Sequence, residues 1–152
     1  MIIYFLGIEG QVEKKGKEGS DMAKAVKSKQ LIFSLPNKVG LLSEVASAIA
    51  AANVNIEAVC AYERGYGYFM MVTDNNTKAK KVLSKMGAEV HVEDVLSVEV
   101  PNKVGQLEKV AKKIAEAGID IHFVYGSPGK GKTATLVLKT ANDRKTAKVI
   151  AA

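Results

Sequence analysis

The chain has 152 residues, of which 47% are hydrophobic and 25% are charged, which is the balance of a soluble globular protein. Its one cysteine, Cys60, excludes an intramolecular disulfide and favours a reducing, cytoplasmic location. The net charge of +6 admits nucleic acid as a partner, but the lysines are dispersed in the way typical of solvated helix faces.

The N-terminal segment, residues 1–29, is predicted to be a flexible lead. It opens with the apolar run Ile2–Leu6, which is too short to span a bilayer and lacks the features of a signal peptide. From Gly7 to Lys29 it is rich in Lys, Glu and Gly, a composition typical of disorder. We therefore predict no membrane segment.

The first predicted strand, Gln30–Leu35, is a short apolar run that ends at Pro36. Apolar residues then follow at helical spacing, namely Leu42, Val45, Ala46 and Ile49. This spacing predicts a helix, with Asn37 placed to cap its start and Asn53 placed to end it.

A hairpin and a second helix follow. Ile56–Tyr62 and Tyr68–Thr73 are rich in strand-forming residues, and Gly65-Tyr66-Gly67 between them predicts the turn. Asn75-Asn76-Thr77 opens a second amphipathic helix, and Glu89–Val92 is the last strand. This order is typical of the α+β ferredoxin-like βαββαβ unit, an antiparallel sheet with both helices on one face.

The same unit occurs twice. Leu35–Gly40 recurs as Val100–Gly105, 65 residues further on, and at this offset Met71-Val72 matches Leu136-Val137. The apolar spacing of the first helix recurs as well, with Val45 matching Val110 and Ile49 matching Ile114. A fixed period indicates a repeated structural unit, so we predict two tandem domains, residues 30–93 and 94–152.

The second copy ends at Ala152 without a closing strand. A sheet edge left bare attracts other strands. We expect a partner chain, or the apolar segment Ile2–Leu6, to cover that edge.

The repeated Pro-Asn-Lys-Val-Gly loop is the strongest candidate for a binding site. A loop between a strand and a helix collects free backbone N–H groups and the positive helix end, which suit a carboxylate. Gly40 and Gly105 let a ligand approach the backbone closely, and Asn37 and Asn102 can hydrogen-bond an amino or a carboxyl group. The alternative is a helix cap that binds no ligand.

Asn37-Lys38-Val39-Gly40-Leu41 followed by Val54-Asn55-Ile56 resembles the pattern of ACT domains, and the second copy offers Asn102-Lys103-Val104-Gly105-Gln106 and Ile119-Asp120-Ile121. The resemblance implies small regulatory domains that pair through their sheets and hold an amino acid between domains. The ligand contacts that it implies are Asn37, Val39, Gly40, Leu41 and Asn55 in the first copy, and Asn102, Val104, Gly105 and Asp120 in the second.

The sequence departs from the family pattern in two ways. Valine precedes the loop glycine in both copies, where the family often has proline. Asp120 stands where the first copy has Asn55; a carboxylate there would repel a ligand carboxylate but can hold its ammonium group. The two sites are therefore expected to differ in affinity, or only one to be used.

Two other motifs compete with this interpretation. Gly126–Thr133 fits the spacing of a phosphate-binding P-loop, but strand-like residues follow where a helix is required. Arg64–Met71 resembles the RNA-stacking octapeptide of RRM domains, with Tyr66 and Tyr68 as the stacking residues. A small RNA-binding protein is therefore the alternative hypothesis, although the second copy lacks those aromatic residues.

No catalytic or metal-binding constellation is predicted. His91 and His122 are isolated on predicted strands, and Cys60 is typical of a packed strand position. We therefore predict a non-enzymatic module, without metal or cofactor, that binds an amino acid. It is expected to form a homodimer and to regulate a separate enzyme or its own association, and nucleic acid is the less favoured partner.

Overall fold

A computed structural model describes residues 23–127 and 131–152, which form two α+β units. The elements in chain order are β1 (Lys24–Pro36), α1 (Leu41–Ala51), β2 (Ile56–Glu63), β3 (Tyr66–Thr73), α2 (Asn76–Lys85), β4 (His91–Pro101), α3 (Gln106–Glu116), β5 (Ile121–Ser127), β6 (Thr133–Thr140) and α4 (Asp143–Ala151). This order confirms the predicted ferredoxin-like class.

Unit 1 comprises residues 29–93 of the described chain, with strand order β2-β3-β1-β4. Strands β1 and β3 are antiparallel, with Leu31 opposite Met71 and Leu35 opposite Gly67. Because side chains alternate along a strand, one face of the sheet carries the core residues. That core joins strand and helix residues and includes Leu31, Phe33, Leu35, Val45, Ile49, Phe69, Met71 and Leu83.

Unit 2 comprises residues 94–152 together with residues 23–28 of the described chain, with strand order β1-β4-β6-β5. Leu96 lies opposite Leu138 in the antiparallel pair of β4 and β6. The core again combines one sheet face with the two helices and includes Leu96, Val98, Val100, Val110, Ile114, Leu138 and Ile150. Ala23 and Ala25 pack against it.

Strands β1 and β4 are longer than predicted, and each contributes residues to both units. Strand β1 begins at Lys24 rather than Gln30, so residues 24–29 are strand and the flexible lead expected there is wrong. Helix α4 is the last element described, and Lys24–Ser28 of β1 takes the fourth strand position of unit 2. The proposed cover Ile2–Leu6 lies outside the described residues.

The register of the repeat changes at the hairpins. Leu31 pairs with Met71 and its repeat partner Leu96 pairs with Leu138, so Met71 corresponds to Leu138 and not to Leu136. The offset therefore rises from 65 to 67 residues, because the connection between β5 and β6, residues 128–132, is longer than that between β2 and β3, residues 64–65.

Most of the predicted helix ends are confirmed. The Asn75 side chain accepts a hydrogen bond from Lys78 N at 3.0 Å and caps α2. Asn53 closes α1 with a φ of 55°, a left-handed conformation that asparagine tolerates better than most residues. The first hairpin turn is Arg64-Gly65 rather than Gly65-Tyr66-Gly67, since β3 already begins at Tyr66.

Candidate functional site

The candidate binding loop of unit 1, called the first loop below, is Asn37–Gly40, between the end of β1 and the start of α1. Gly40 is the N-cap residue of α1 with a φ of 86°, and no side chain caps the helix. The prediction that Asn37 caps α1 is therefore wrong. The reason is that the chain turns at the left-handed glycine, which places Asn37 three residues before the cap.

The backbone of the first loop is open to an approaching molecule. Among the described residues, its two chain neighbours apart, no atom lies within 4 Å of the position that a Cβ of Gly40 would occupy. The Val39 side chain is fully exposed. The first N–H groups of α1 have no acceptor within the helix, and the helix N-terminus carries a partial positive charge. The loop thus offers donors and open space at one point.

Two contacts limit which groups remain available. The Leu41 N–H donates to Lys38 O at 3.2 Å, and the Leu41 side chain is buried. The Lys38 ammonium pairs with Glu44 at 2.6 Å in an exposed position, where an ion pair contributes little to stability. Of the implied backbone contacts, Val39 and Gly40 are therefore more accessible than Leu41.

The neighbouring strand places an aromatic residue beside the first loop. Tyr66 on β3 lies opposite Pro36, the residue before Asn37, and its side chain is half exposed. The sequence motif around Tyr66 indicates a role for this residue only in the RNA-binding alternative. Strand register, which a single sequence reveals poorly, is the signal that places it here.

The corresponding loop of unit 2, the second loop, is Asn102–Gly105. It shares the left-handed N-cap, Gly105 with a φ of 85°, and the fully exposed valine, Val104. It differs at Asn102, whose backbone N–H donates to Lys132 O at 2.9 Å and whose Nδ2 donates to Gly131 O at 3.3 Å. The longer hairpin between β5 and β6 supplies both acceptors.

Asn37 has no such contacts. Its side chain is exposed and makes no hydrogen bond with any residue in the described ranges 23–127 and 131–152. The amide of Asn37 is therefore available to a ligand, whereas the amide of Asn102 is already engaged. The two copies differ more in this loop than their shared Pro-Asn-Lys-Val-Gly sequence suggests.

Asn55 follows the C-terminal end of α1, and Asp120 follows the C-terminal end of α3. The first and second loops lie at the N-terminal ends of the same two helices. Helix α1 has 11 residues, a length of roughly 16 Å at 1.5 Å per residue, and it separates Asn55 from Gly40. The Asn55 N–H donates to Asp74 at 2.9 Å, and Asp120 O accepts from Ala141 N at 2.9 Å. Within one unit, the structure does not bring the two implied groups of contacts together.

The structure argues against the P-loop-like motif more strongly than against the RRM-like motif. Strand β6 begins at Thr133, so the P-loop-like segment is not followed by the helix that phosphate binding requires. The tyrosines are more accessible: Tyr66 is 51% exposed, and Tyr62 and Tyr68 stack with ring centroids 5.3 Å apart. Their stacking occupies part of the surface that would receive RNA bases.

Other reactive groups are dispersed. Within the described residues, no set of three or more His, Cys, Asp and Glu side chains is arranged to hold a metal ion. Burial raises the pKa of the Cys60 thiol, which disfavours the nucleophilic thiolate. Among the helices of residues 23–127 and 131–152, none has the length and apolarity needed to cross a bilayer.

Comparison with known proteins identifies relatives. A family model described as an ACT domain pair matches residues 26–152, while no curated protein sequence matches the chain. The solved structure of protein BT0572 from Bacteroides thetaiotaomicron is 31% identical, with a TM-score of 0.75, over 82% of this chain and 87% of that one.

Two less similar structures share the fold. The regulatory subunit of aspartate kinase from Thermus flavus is 16% identical, with a TM-score of 0.59, over 85% of this chain and 94% of that one. Aspartokinase III of E. coli, in complex with lysine and aspartate, is 14% identical, with a TM-score of 0.52, over 84% of this chain and 31% of that one.

Proposed function

The chain belongs to the ACT domain pair family, and we propose that it is a non-catalytic regulatory module that binds a free amino acid. In this proposal residues 30–93 and 94–152 are its two ACT domains. The ligand contacts are those that the family resemblance implies, with the first loop as the principal site.

The available Asn37 amide is the observation that carries this assignment. A free amino acid is a zwitterion, so its site must satisfy a carboxylate and an ammonium group together. The backbone N–H groups of the exposed residues Val39 and Gly40 suit the carboxylate. The Asn37 side chain has a carbonyl oxygen for the ammonium group and an NH₂ group for the carboxylate, and within the described chain it has no competing partner.

The second loop is proposed to be the weaker site. Asn102 would have to break its hydrogen bond to Gly131 O before it could bind a ligand, which subtracts from the free energy of binding. Asp120 adds a negative charge among the implied contacts of that copy. One strong site per chain is therefore expected.

The proposed mechanism is linkage between ligand binding and association. Because α1 separates Asn37 from Asn55 within unit 1, a ligand that touches both types of contact must lie between two ACT domains. Such a ligand favours the arrangement that forms the interface, by no more than its difference in affinity for the two states. We propose a cytoplasmic homodimer whose arrangement transmits the signal.

The regulated partner is proposed to be a separate enzyme. The regulatory subunit of aspartate kinase from Thermus flavus shares the fold over 85% of this chain, and aspartokinase III was solved with lysine and aspartate bound. These likenesses support a regulatory role in response to an amino acid.

A thermal-shift screen tests the proposal. The purified protein is melted with each of the twenty amino acids in turn, and with a short mixed-sequence RNA as contrast. A ligand at a hundredfold its Kd stabilises the protein by about 2.7 kcal/mol, which for a chain of this size raises the melting temperature by roughly 5–10 °C. A shift with RNA alone, weakened by salt, would replace this proposal with RNA binding through Tyr66 and Tyr68.

A further inference from the structure

Unit 1 contains a second concave surface, away from the first loop. A cavity of about 560 Å³ lies along α2, beside Lys29 of β1 and Val92 of β4. The α2 cleft, as it is called below, is lined by Lys29, Asn76, Thr77, Lys80, Lys81, Ser84, Lys85 and Val92. Its volume falls within the range of small-molecule sites.

The charge of the α2 cleft is strongly positive. Four of its lining residues are lysines, and α2 itself contains no acidic residue. Lys80, Lys81 and Lys85 form no ion pair or hydrogen bond with any residue of the described part of the chain. Like charges four residues apart on a helix, such as Lys81 and Lys85, repel each other, so this arrangement lowers the stability of the free helix.

The corresponding helix of unit 2, α4, differs because several charged side chains around it have hydrogen-bond or ion-pair partners. Helix α4 starts with Asp143, which pairs with Lys139 at 2.8 Å. Lys145 donates to Ala117 O at 3.0 Å, and Lys113 donates to Ile150 O at 3.1 Å. Lys113, Lys139 and Lys145 around α4 therefore satisfy backbone and carboxylate groups. In contrast, Lys80, Lys81 and Lys85 on α2 have no such partner among the described residues.

The sequence difference lies at the cleft positions themselves. With the offset of 67 residues fixed by strand register, Lys80 corresponds to Ala147 and Lys85 to Ala152, whereas Lys81 corresponds to Lys148. Two of the three cleft lysines on α2 thus have alanine at the corresponding position of unit 2. A solvated helix face has no requirement for this difference between the two copies.

We propose that the α2 cleft binds a small organic polyanion carrying two or more phosphate or carboxylate groups. Lysine ammonium groups form charge-assisted hydrogen bonds with such oxygens, and the N-terminal residues of α2 add the positive end of the helix dipole. The exposed Val92 side chain and the aliphatic stems of the lysines offer apolar area for the organic part of the ligand. This site is separate from the first loop and does not depend on amino-acid binding there.

The test is calorimetric titration with inorganic tripolyphosphate as the probe. The variant K80Q/K81Q/K85Q removes three positive charges from the α2 cleft. The matched control K112Q/R144Q/K148Q removes three exposed positive charges from α3 and α4. Circular dichroism verifies that both variants fold.

The proposal predicts that the wild type binds tripolyphosphate and that the α2 variant loses at least about tenfold in affinity. The control should lose less than about threefold, because only long-range attraction is reduced. No binding by the wild type, or an equal loss in the two variants, would overturn the site. Binding of a short RNA without binding of tripolyphosphate would also overturn it.

Discussion

The Asn37→Ala substitution is expected to abolish amino-acid binding while leaving the unliganded protein as stable as before. The Asn37 side chain is exposed and has no hydrogen-bond partner among the described residues, so the free energy of unfolding should change by less than about 0.5 kcal/mol. That corresponds to a melting temperature within roughly 2 °C of the wild type. The ligand-induced rise of several degrees should disappear in the variant.

The matched control is Asn102→Ala in the second loop. This change removes the hydrogen bond from Asn102 Nδ2 to Gly131 O, at a cost of about 0.5–1 kcal/mol. It should lower the melting temperature of the free protein slightly but keep most of the ligand-induced rise. Differential scanning fluorimetry with and without ligand measures both quantities. If Asn37→Ala keeps the rise, or if Asn102→Ala alone abolishes it, the assignment of the first loop is refuted.

Three further predictions concern stability and the alternative function. Gly40→Ala meets no steric contact within the part of the chain that the structure describes, but the new residue must hold a φ of 86°. It should therefore destabilise the protein by about 1–2 kcal/mol, and an unchanged melting curve by circular dichroism would contradict the left-handed cap. For Asp143, burial raises the pKa, but the hydrogen bonds from Lys139 and from Thr140 outweigh it, and the net pKa is lowered. Because the folded pKa is depressed, its stabilisation is present above the unfolded value of about 3.9 and is lost as pH falls through the folded pKa. Asp143→Asn should therefore lower the free energy of unfolding by about 1 kcal/mol at pH 7, and this difference from the wild type should vanish in acid. Urea unfolding at a series of pH values measures it, and a difference that stays constant with pH would contradict the prediction. Double replacement of Tyr66 and Tyr68 by alanine should leave amino-acid binding intact in the thermal-shift assay, and loss of that binding would mean that β3 forms part of the site.

The sequence was most informative in the internal repeat, where two different sequences form the same structural unit. The repeated loop and the apolar spacing predicted the element order, because both copies must bury the same helix and sheet faces. The end of α1 at Asn53 and the start of α2 at Asn75 followed from local chemistry that hardly depends on tertiary context.

Strand lengths and register could not be predicted in the same way. Strand β1 begins at Lys24 because Ala23 and Ala25 pack against the core of unit 2, a contact that is distant in sequence. The change of offset that relates Met71 to Leu138 is likewise fixed by pairing with β1 and β4. Neither the packing of residues 23–25 nor the strand pairing can be predicted from local composition, because both depend on residues distant in sequence.

The candidate site was predictable in position but not in its asymmetry. Asn37 and Asn102 occupy the same place in the same motif, and only the longer β5–β6 hairpin, through Gly131 and Lys132, engages one of them. The placement of Tyr66 beside the first loop depends on strand register as well. Differences between copies of a repeat are therefore decided by the elements that surround the motif.

The most direct test of the account is an amide NMR titration of the ¹⁵N-labelled protein with the amino acid that stabilises it most. We predict that the largest chemical-shift changes occur at the backbone amides of Val39 and Gly40 and at the side-chain amide of Asn37, with smaller changes at Asn102. Changes confined to residues outside both loops, or no saturable change with any amino acid, would contradict it.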